Sequence, residues 1–327
     1  MTKIKMGLLS KKRGNYKLQQ KFTGKETIYD ETTKEVAHHR DALIRAGYDV
    51  VVIEWGSDFI DRVKHEDVQL VFNVSSLVEV AILEELGIPY VGSDPLGIVA
   101  ATDKSLAKRL WEKEEIPTSK FRVLRNIDDC QSFISKSPFP YPIFIKPVAG
   151  RGSAGITRNS LIQNGTQLLE NTKILLDTIG QPVLVERFLT GREITIGVLG
   201  NGKKVRTLPP LEIIFKKDDE FLTYNKKEAD DDMFICPPKI SGAEEKQLKD
   251  LAIKAFNALG LRDYARIDTK LTPQGFILIE ANCFAGLMCT PKEKPKSYMG
   301  FMARAEGNDA KDLFQEIIKI ALERINN

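Results

Sequence analysis

The apolar residues of this chain fall mostly in short continuous runs rather than in strict alternation. Ile4 to Leu9, Val50 to Ile53, Val68 to Val74 and Ile88 to Val91 each read as a strand buried on both faces. Between them, Thr32 to Ala46 places Val36, Leu43, Ile44 and Ala46 apolar with Gly47 as a stop, and Val78 to Leu86 reads as a helix closed by Gly87. Strand, helix and strand in succession predict a parallel α/β unit. Asn15 to Asp30 shows no period and reads as a loop.

A fresh helix is expected from Thr102 or Asp103, a good cap ahead of Leu106, Leu110 and Trp111, ending before Pro117. Phe139 to Val148 and Val183 to Val185 read as strands enclosing a glycine-rich turn and a helix from Gly165 to Thr178. Beyond Gly191 the pattern predicts strands Glu193 to Leu199, Leu211 to Phe215 and Met233 to Cys236, then a helix from Ala243 to Leu259. Strands Tyr264 to Leu271 and Phe276 to Ala281 and a last helix, Ala310 to Arg324, complete an α/β (α+β) chain. Its expected units are 1–100, 101–188 and 189–327.

A length of 327 residues suits several packed units better than one core, and 42% apolar with 28% charged residues is globular composition. Lys and Arg number 48 against 45 Asp and Glu, a net charge of +3. That surplus is too small for a nucleic-acid partner, though small anions remain open. Cys130, Cys236, Cys283 and Cys289 have no CxxC spacing and no histidines beside them, so reduced thiols are expected rather than a zinc site or disulfides. The apolar run before Lys11, Lys12 and Arg13 is too short for a signal peptide or a membrane span, which predicts a cytoplasmic protein with no membrane partner.

Two stretches carry chemistry. Gly150-Arg-Gly-Ser-Ala-Gly155 satisfies G-x-G-x-x-G, yet β-type residues Ile156, Thr157 and Arg158 follow it where a dinucleotide fold would open a helix. A loop joining two strands can lay backbone N–H groups and the Ser153 hydroxyl over phosphates as a lid, with Lys146 reaching them from the strand before. The second stretch is the hairpin Ala265-Arg-Ile-Asp-Thr-Lys-Leu271, turn, Phe276-Ile-Leu-Ile-Glu-Ala-Asn282, which sets Asp268 opposite Ile279 or Glu280. Period two puts Phe276, Leu278, Glu280 and Asn282 on one face, so the polar groups would share it with bulky apolar ones. Two facing carboxylates in such a setting repel unless a cation compensates. Asp268, Glu280 and the Asn282 amide are hard oxygen donors that suit Mg2+, with Mn2+ as a substitute, and Arg266 beside them suits a transferring phosphoryl group.

Together with Thr102-Asp-Lys-Ser-Leu-Ala-Lys-Arg-Leu-Trp111, Ile143-Phe-Ile-Lys-Pro147 and Val183-Leu-Val-Glu-Arg-Phe-Leu-Thr-Gly-Arg-Glu193, these motifs resemble the ATP-grasp superfamily, and within it the D-alanine–D-alanine ligases. The likeness runs from Ser93 to the C-terminus and implies an ATP-grasp fold, with ligation of a carboxylate to an amine for peptidoglycan precursors. It further implies that Lys104, Lys146 and Lys227 touch ATP phosphates and that Ser153 sits in the lid. By the same likeness Glu186, Arg187, Phe188 and Leu189 form the adenine hinge, with Ile279 among the nucleotide contacts and Glu193 on the ribose. Asp268, Glu280 and Asn282 become the metal ligands, Arg266 and the Gly286 amide the oxyanion donors, and a homodimer the assembly.

The acceptor half departs from the family pattern. Phe72-Asn-Val-Ser-Ser-Leu77 stands where a His-Gly…Gly-Glu segment is usual, and Glu26, Glu31 and Glu35 compete for the ammonium-holding glutamate. Glu228 replaces the tyrosine after the lid lysine, and Asn282-Cys-Phe-Ala-Gly-Leu287 replaces Asn-Thr-Ser-Pro-Gly-Met. A lysine- and proline-rich stretch, Pro291 to Lys296, then precedes Ser297-Tyr-Met. The alternatives are therefore a related ligase with another amino acid, hydroxy acid or peptide, and a nucleotide sensor that does not ligate.

Overall fold

The computed structural model describes residues 3–10, 28–74, 77–136, 138–150, 155–215, 233–289 and 297–326. Its first sheet is parallel, in the order β2-β1-β3-β4, from β1 (Lys5–Ser10), β2 (Asp49–Glu54), β3 (Leu70–Phe72) and β4 (Tyr90–Val91). Helix α1 (Ile28–Arg45) starts inside the stretch expected to be a loop. Two further helices give no amphipathic signal. One, α2 (Phe59–His65), is only 7 residues long. After α3 (Leu77–Glu85) comes the other, α4 (Pro95–Thr102), apolar nearly throughout and begun by Asp94, whose carboxylate accepts the Gly97 N–H at 2.8 Å.

Helix α5 (Lys104–Lys113) is capped by Asp103, which accepts the N–H groups of Ser105 and Leu106. Its indole Trp111 donates to the Ala255 carbonyl at 3.2 Å, so the helix packs against α8 (Gly242–Ala258), far along the chain. The antiparallel central sheet runs β5-β8-β6-β7, from β5 (Phe121–Leu124), β6 (Ile143–Pro147), β7 (Leu161–Ile162) and β8 (Val183–Arg187). Helices α6 (Ile127–Lys136) and α7 (Gly165–Ile179) close a core of its own around Phe133, Ile145, Leu168 and Val183. Between β6 and β7 the glycine-rich residues 151–154 lie outside the described residues; after them Arg158–Ser160 form a 3-10 turn capped by Thr157, and the strand expected from Ile156 resumes only at Leu161.

The third sheet runs β12-β11-β9-β13-β14, with β10 (Arg206–Thr207) beside β9. It comprises β9 (Arg192–Gly200), β11 (Leu211–Ile214), β12 (Met233–Ile235), β13 (Asp263–Thr272) and β14 (Gly275–Asn282), and is followed by α9 (Tyr298–Ala305) and α10 (Ala310–Ile325). One core cluster joins Leu9, Ile53 and Val71 of the first sheet to Ile267, Leu278 and Phe256 of the third unit. Asp263, fully buried, staples the same junction by accepting from Gly92 N–H at 2.7 Å and Arg324 Nη2 at 2.8 Å. The first and third sheets thus share apolar packing, while the central sheet keeps its own core and is tied to β14 by the segment ahead of β5, through a bridge between Thr118 and Leu278. At the turn between β8 and β9, Gly191 has φ +140° and a Cβ there would collide with the Leu271 carbonyl, so only glycine lets the chain pass so close to β13.

Candidate active site

The hairpin register sets Asp268 opposite Glu280 on one side and opposite Thr195 of β9 on the other. Between Asp268 and Thr269 the pairing shifts, so that Thr269 faces Leu278 and Ile279 is the extra residue of a β-bulge. The expected single face for Phe276, Leu278, Glu280 and Asn282 is therefore wrong. Phe276, Leu278 and Ala281 are buried, and the bulge turns Glu280 and Asn282 to the opposite side, onto the face of Asp268. Although β14 is an edge strand, its partner carboxylate is no solvated surface group: Asp268 is 8% exposed.

Arg266 grips Asp268 with a bidentate fork, Nε to Oδ1 at 2.7 Å and Nη2 to Oδ2 at 2.9 Å. Thr195 donates to Oδ1 at 2.5 Å, and the Asn282 amide donates to Oδ2 at 2.8 Å and to Glu280 Oε1 at 3.4 Å. The guanidinium also lies over the Tyr298 ring, 4.8 Å from its centroid. Burial alone disfavours its charge, but Asp268 outweighs that and keeps Arg266 more firmly protonated than usual. Glu280 meets Lys104 Nζ at 3.8 Å, and Lys104 also donates to the Gly150 carbonyl at 3.0 Å, at the mouth of the glycine loop. Burial lowers the Lys104 pKa, and Glu280 opposes the shift.

A second ionic cluster sits on β6 and β8. Lys146 Nζ pairs with Glu186 Oε1 at 2.7 Å, while Lys108 Nζ at 3.0 Å and Ser119 Oγ at 2.7 Å meet Oε2. Burial by itself raises the Glu186 pKa, yet the two ammonium groups and these hydrogen bonds bring it down to about 2. Beside it the Phe188 ring stacks on Phe144 at 6.2 Å, and Arg187 is exposed. Glu193 is paired across the strands with Lys270, whose Nζ lies 3.4 Å from Oε2; burial raises the Glu193 pKa and Lys270 opposes it. Leu189 and Ile279 are half-buried, the first in the segment after β8 and the second at the bulge.

Gly286 lies in the irregular segment after β14, where an added Cβ would come within 3.3 Å of the Ser297 Cβ. Ser153, Lys227, Glu228, Glu26 and the stretch Pro291 to Lys296 lie outside the described residues. Sequence reasoning missed Lys108, Lys270 and Thr195. The first two had a detectable signal: Lys108 stands four positions after Lys104 on one helix face, and Lys270 two after Asp268 on one strand face. Thr195 had none, because only the sheet order brings β9 beside β13.

Among the described residues no group of three or more His, Cys, Asp or Glu could hold a metal ion, so a cation here would draw on more than carboxylates. The donor set fits a hard divalent ion. Two carboxylates face each other across the hairpin, and the Asn282 amide already bridges both, carrying an oxygen donor on the same group.

A family model described as D-ala D-ala ligase C-terminus matches residues 110–319. The D-alanine–D-alanine ligase of Pseudomonas putida is 30% identical over 307 residues, covering 91% of this chain and 90% of that protein. The corresponding ligase of Desulfotalea psychrophila is 34% identical over 244 residues, 74% of this chain and 73% of that protein. Among solved structures, the D-alanine–D-alanine ligase from Bacillus anthracis complexed with ATP aligns with a TM-score of 0.75 at 19% identity over 99% of both chains. The VanG D-Ala:D-Ser ligase from Enterococcus faecalis aligns with a TM-score of 0.71 at 19% identity, over 98% of this chain and 100% of that one. At those identities the structural likeness bears on the fold, and the fold shared is ATP-grasp.

Proposed function

The chain belongs to the D-alanine–D-alanine ligase family, and from that membership we propose that it joins the carboxylate of one D-alanine to the amine of another at the expense of ATP. The observation that carries the reading is the facing pair Asp268 and Glu280, with Arg266 forked onto the first and Lys104 reaching the second. Lys104 and Lys146 bind and orient the polyphosphate from two directions, the helix start and the end of β6. The substrate carboxylate attacks the γ-phosphate to give an acyl phosphate and ADP. The amine then adds to the acyl carbon, and phosphate leaves as the amide forms.

Arg266 and the Gly286 N–H stabilise the oxyanion of that addition, an effect worth about 2.7–4 kcal/mol per donor. Asp268 holds the guanidinium edge and Tyr298 its face, so the donor is oriented before substrate arrives. Asp268, Glu280 and Asn282 would hold Mg2+, which when bound neutralises phosphate charge during transfer. Gly150 to Gly155 supplies the lid that excludes water from the acyl phosphate. Cytoplasmic peptidoglycan precursor synthesis and a homodimer complete the proposal; among the described residues no helix is long and apolar enough to cross a membrane.

A second reading, ligation to another acceptor, is favoured by the acceptor side, where Tyr298 under Arg266 belongs to an aromatic group with Phe234 and Phe301. ADP release measured with D- and L-amino acids, hydroxy acids and short peptides tests both. Turnover with D-alanine alone supports the first reading and turnover only with another acceptor the second. ATP binding without turnover on any of them overturns both in favour of a sensor.

A further inference from the structure

Lys108 has no exposed surface, and each of its three N–H donors is taken: by Thr118 Oγ1 at 2.8 Å, Ser119 Oγ at 2.9 Å and Glu186 Oε2 at 3.0 Å. A buried ammonium is costly unless fully paired, and Glu186 is already paired with Lys146 at 2.7 Å. The cluster therefore holds two ammonium groups and one carboxylate, with neutral hydroxyls around them. Glu280 and Glu193 also act on Lys146, but each is met by a lysine of its own, Lys104 and Lys270, so one positive charge is left over. It points to an anion arriving beside Lys146, since Lys108 is walled in by its own acceptors.

The same lysine ties two sheets together. Thr118 donates to the Leu278 carbonyl of β14 at 3.0 Å, and Leu278 N–H donates to the Pro117 carbonyl at 2.9 Å. Glu186 sits on β8 of the central sheet. Through Thr118 and Glu186, Lys108 links the strand that carries Glu280 to the strand that leads into the hinge.

We propose that Lys108 is a positioning residue for the nucleotide: it fixes the Glu186 carboxylate and offsets its charge, so that Lys146 keeps a net positive field for the polyphosphate. This rests on the ATP-dependent reading above. Lys108 does not touch the nucleotide; it acts through Glu186 and Lys146.

The test is ATP binding by calorimetry together with steady-state kinetics on the full chain. Lys108→Met should weaken ATP binding roughly ten- to hundredfold while the KM for the amino-acid substrates stays within about twofold. Glu186→Gln alone measures the cost of altering the hinge carboxylate; added to Lys108→Met, where it restores the charge balance, it should cost clearly less ATP affinity than in the wild type, which a packing role would not produce. Because methionine at 108 can loosen the fold, Ser119→Ala serves as the mild variant: both lysines remain, and the dissociation constant for ATP should rise about two- to threefold. Unchanged ATP affinity in Lys108→Met overturns the assignment, as does an equal cost of Glu186→Gln in both backgrounds. A wild-type chain that binds no ATP overturns the ligase reading and this assignment together, whereas equal binding by wild type and Lys108→Met overturns the assignment alone.

Discussion

The two ionic clusters of the site are built on opposite plans. Around Glu186 every contact is short: two lysines and a serine hold its oxygens at 2.7–3.0 Å, and 6% of the residue is exposed. Across the hairpin Asp268 is just as tightly held, but among the described residues its partner Glu280 has long contacts, 3.4 Å to Asn282 and 3.8 Å to Lys104. Its side chain is 31% exposed. One cluster is closed by short contacts, and the other leaves a partly exposed carboxylate held at long range beside Asp268. The first plan suits orientation, the second suits capture of a cation.

The comparison breaks most directly at Glu280. Glu280→Gln should abolish Mg2+-dependent ADP release and leave the melting temperature nearly unchanged, because the side chain supports little of the fold. Full activity in a magnesium titration of this variant would remove Glu280 from the metal set. Next comes Arg266→Lys, which keeps the charge but loses the fork on Asp268. We expect kcat to fall by about 10²-fold with the KM for ATP within about twofold; an equal rise in that KM would make Arg266 a nucleotide contact instead.

An ion pair as buried as these but remote from the chemistry supplies the control. Asp263→Ala removes the acceptor shared by Arg324, Gly92 and Asn201, and should lower unfolding stability by about 3–5 kcal/mol. Kinetic constants of the folded enzyme should not move, and denaturant titration beside steady-state kinetics checks both halves.

The smallest effect is read from pH. His39 is buried against Phe314, and among the described residues its ring nitrogens have no hydrogen-bond partner. Burial, with the neighbouring His38 adding to it, brings its pKa from 6.5 down to about 3. The unfolded chain therefore binds that proton first, so stability present above about 6.5 is lost as pH falls toward 3, by at most about 1.4 kcal/mol per unit. Glu186, lowered from 4.5 to about 2, keeps its contribution above 4.5 and loses it only below. Between pH 6.5 and 4.5 the decline should then come from His39 together with His38, whose pKa burial also lowers, and be opposed in part by Glu193, whose burial-raised pKa adds stability as pH falls; Glu186 does not contribute there. His39→Leu should make that decline shallower; a variant with the wild-type slope would assign the loss elsewhere.

Much of the fold was legible in the chain, because continuous apolar runs and well-punctuated helices carry their own signal. The helix after Asp103 begins at its cap, and the helix from Gly165 ends at Gly180 as the left-handed stop requires. Helix α4 was not legible, since an apolar helix with Leu96 exposed has no polar face to set a period. Nor was α9, which follows a lysine- and proline-rich stretch that masks its start.

Local order along the chain fixed the residue types of the site: a lysine at a strand end, a glycine-rich turn, and acids and an amide on a hairpin. These follow from short-range chemistry, in which spacing within a few residues decides what can share a face. Tertiary structure decided the rest. The bulge at Ile279 turned Glu280 and Asn282 away from the apolar face, the sheet order brought Thr195 to Asp268, and the meeting of α5 with β8 buried Lys108 against Glu186. Register and sheet order depend on contacts between residues distant in sequence, and no local pattern encodes them.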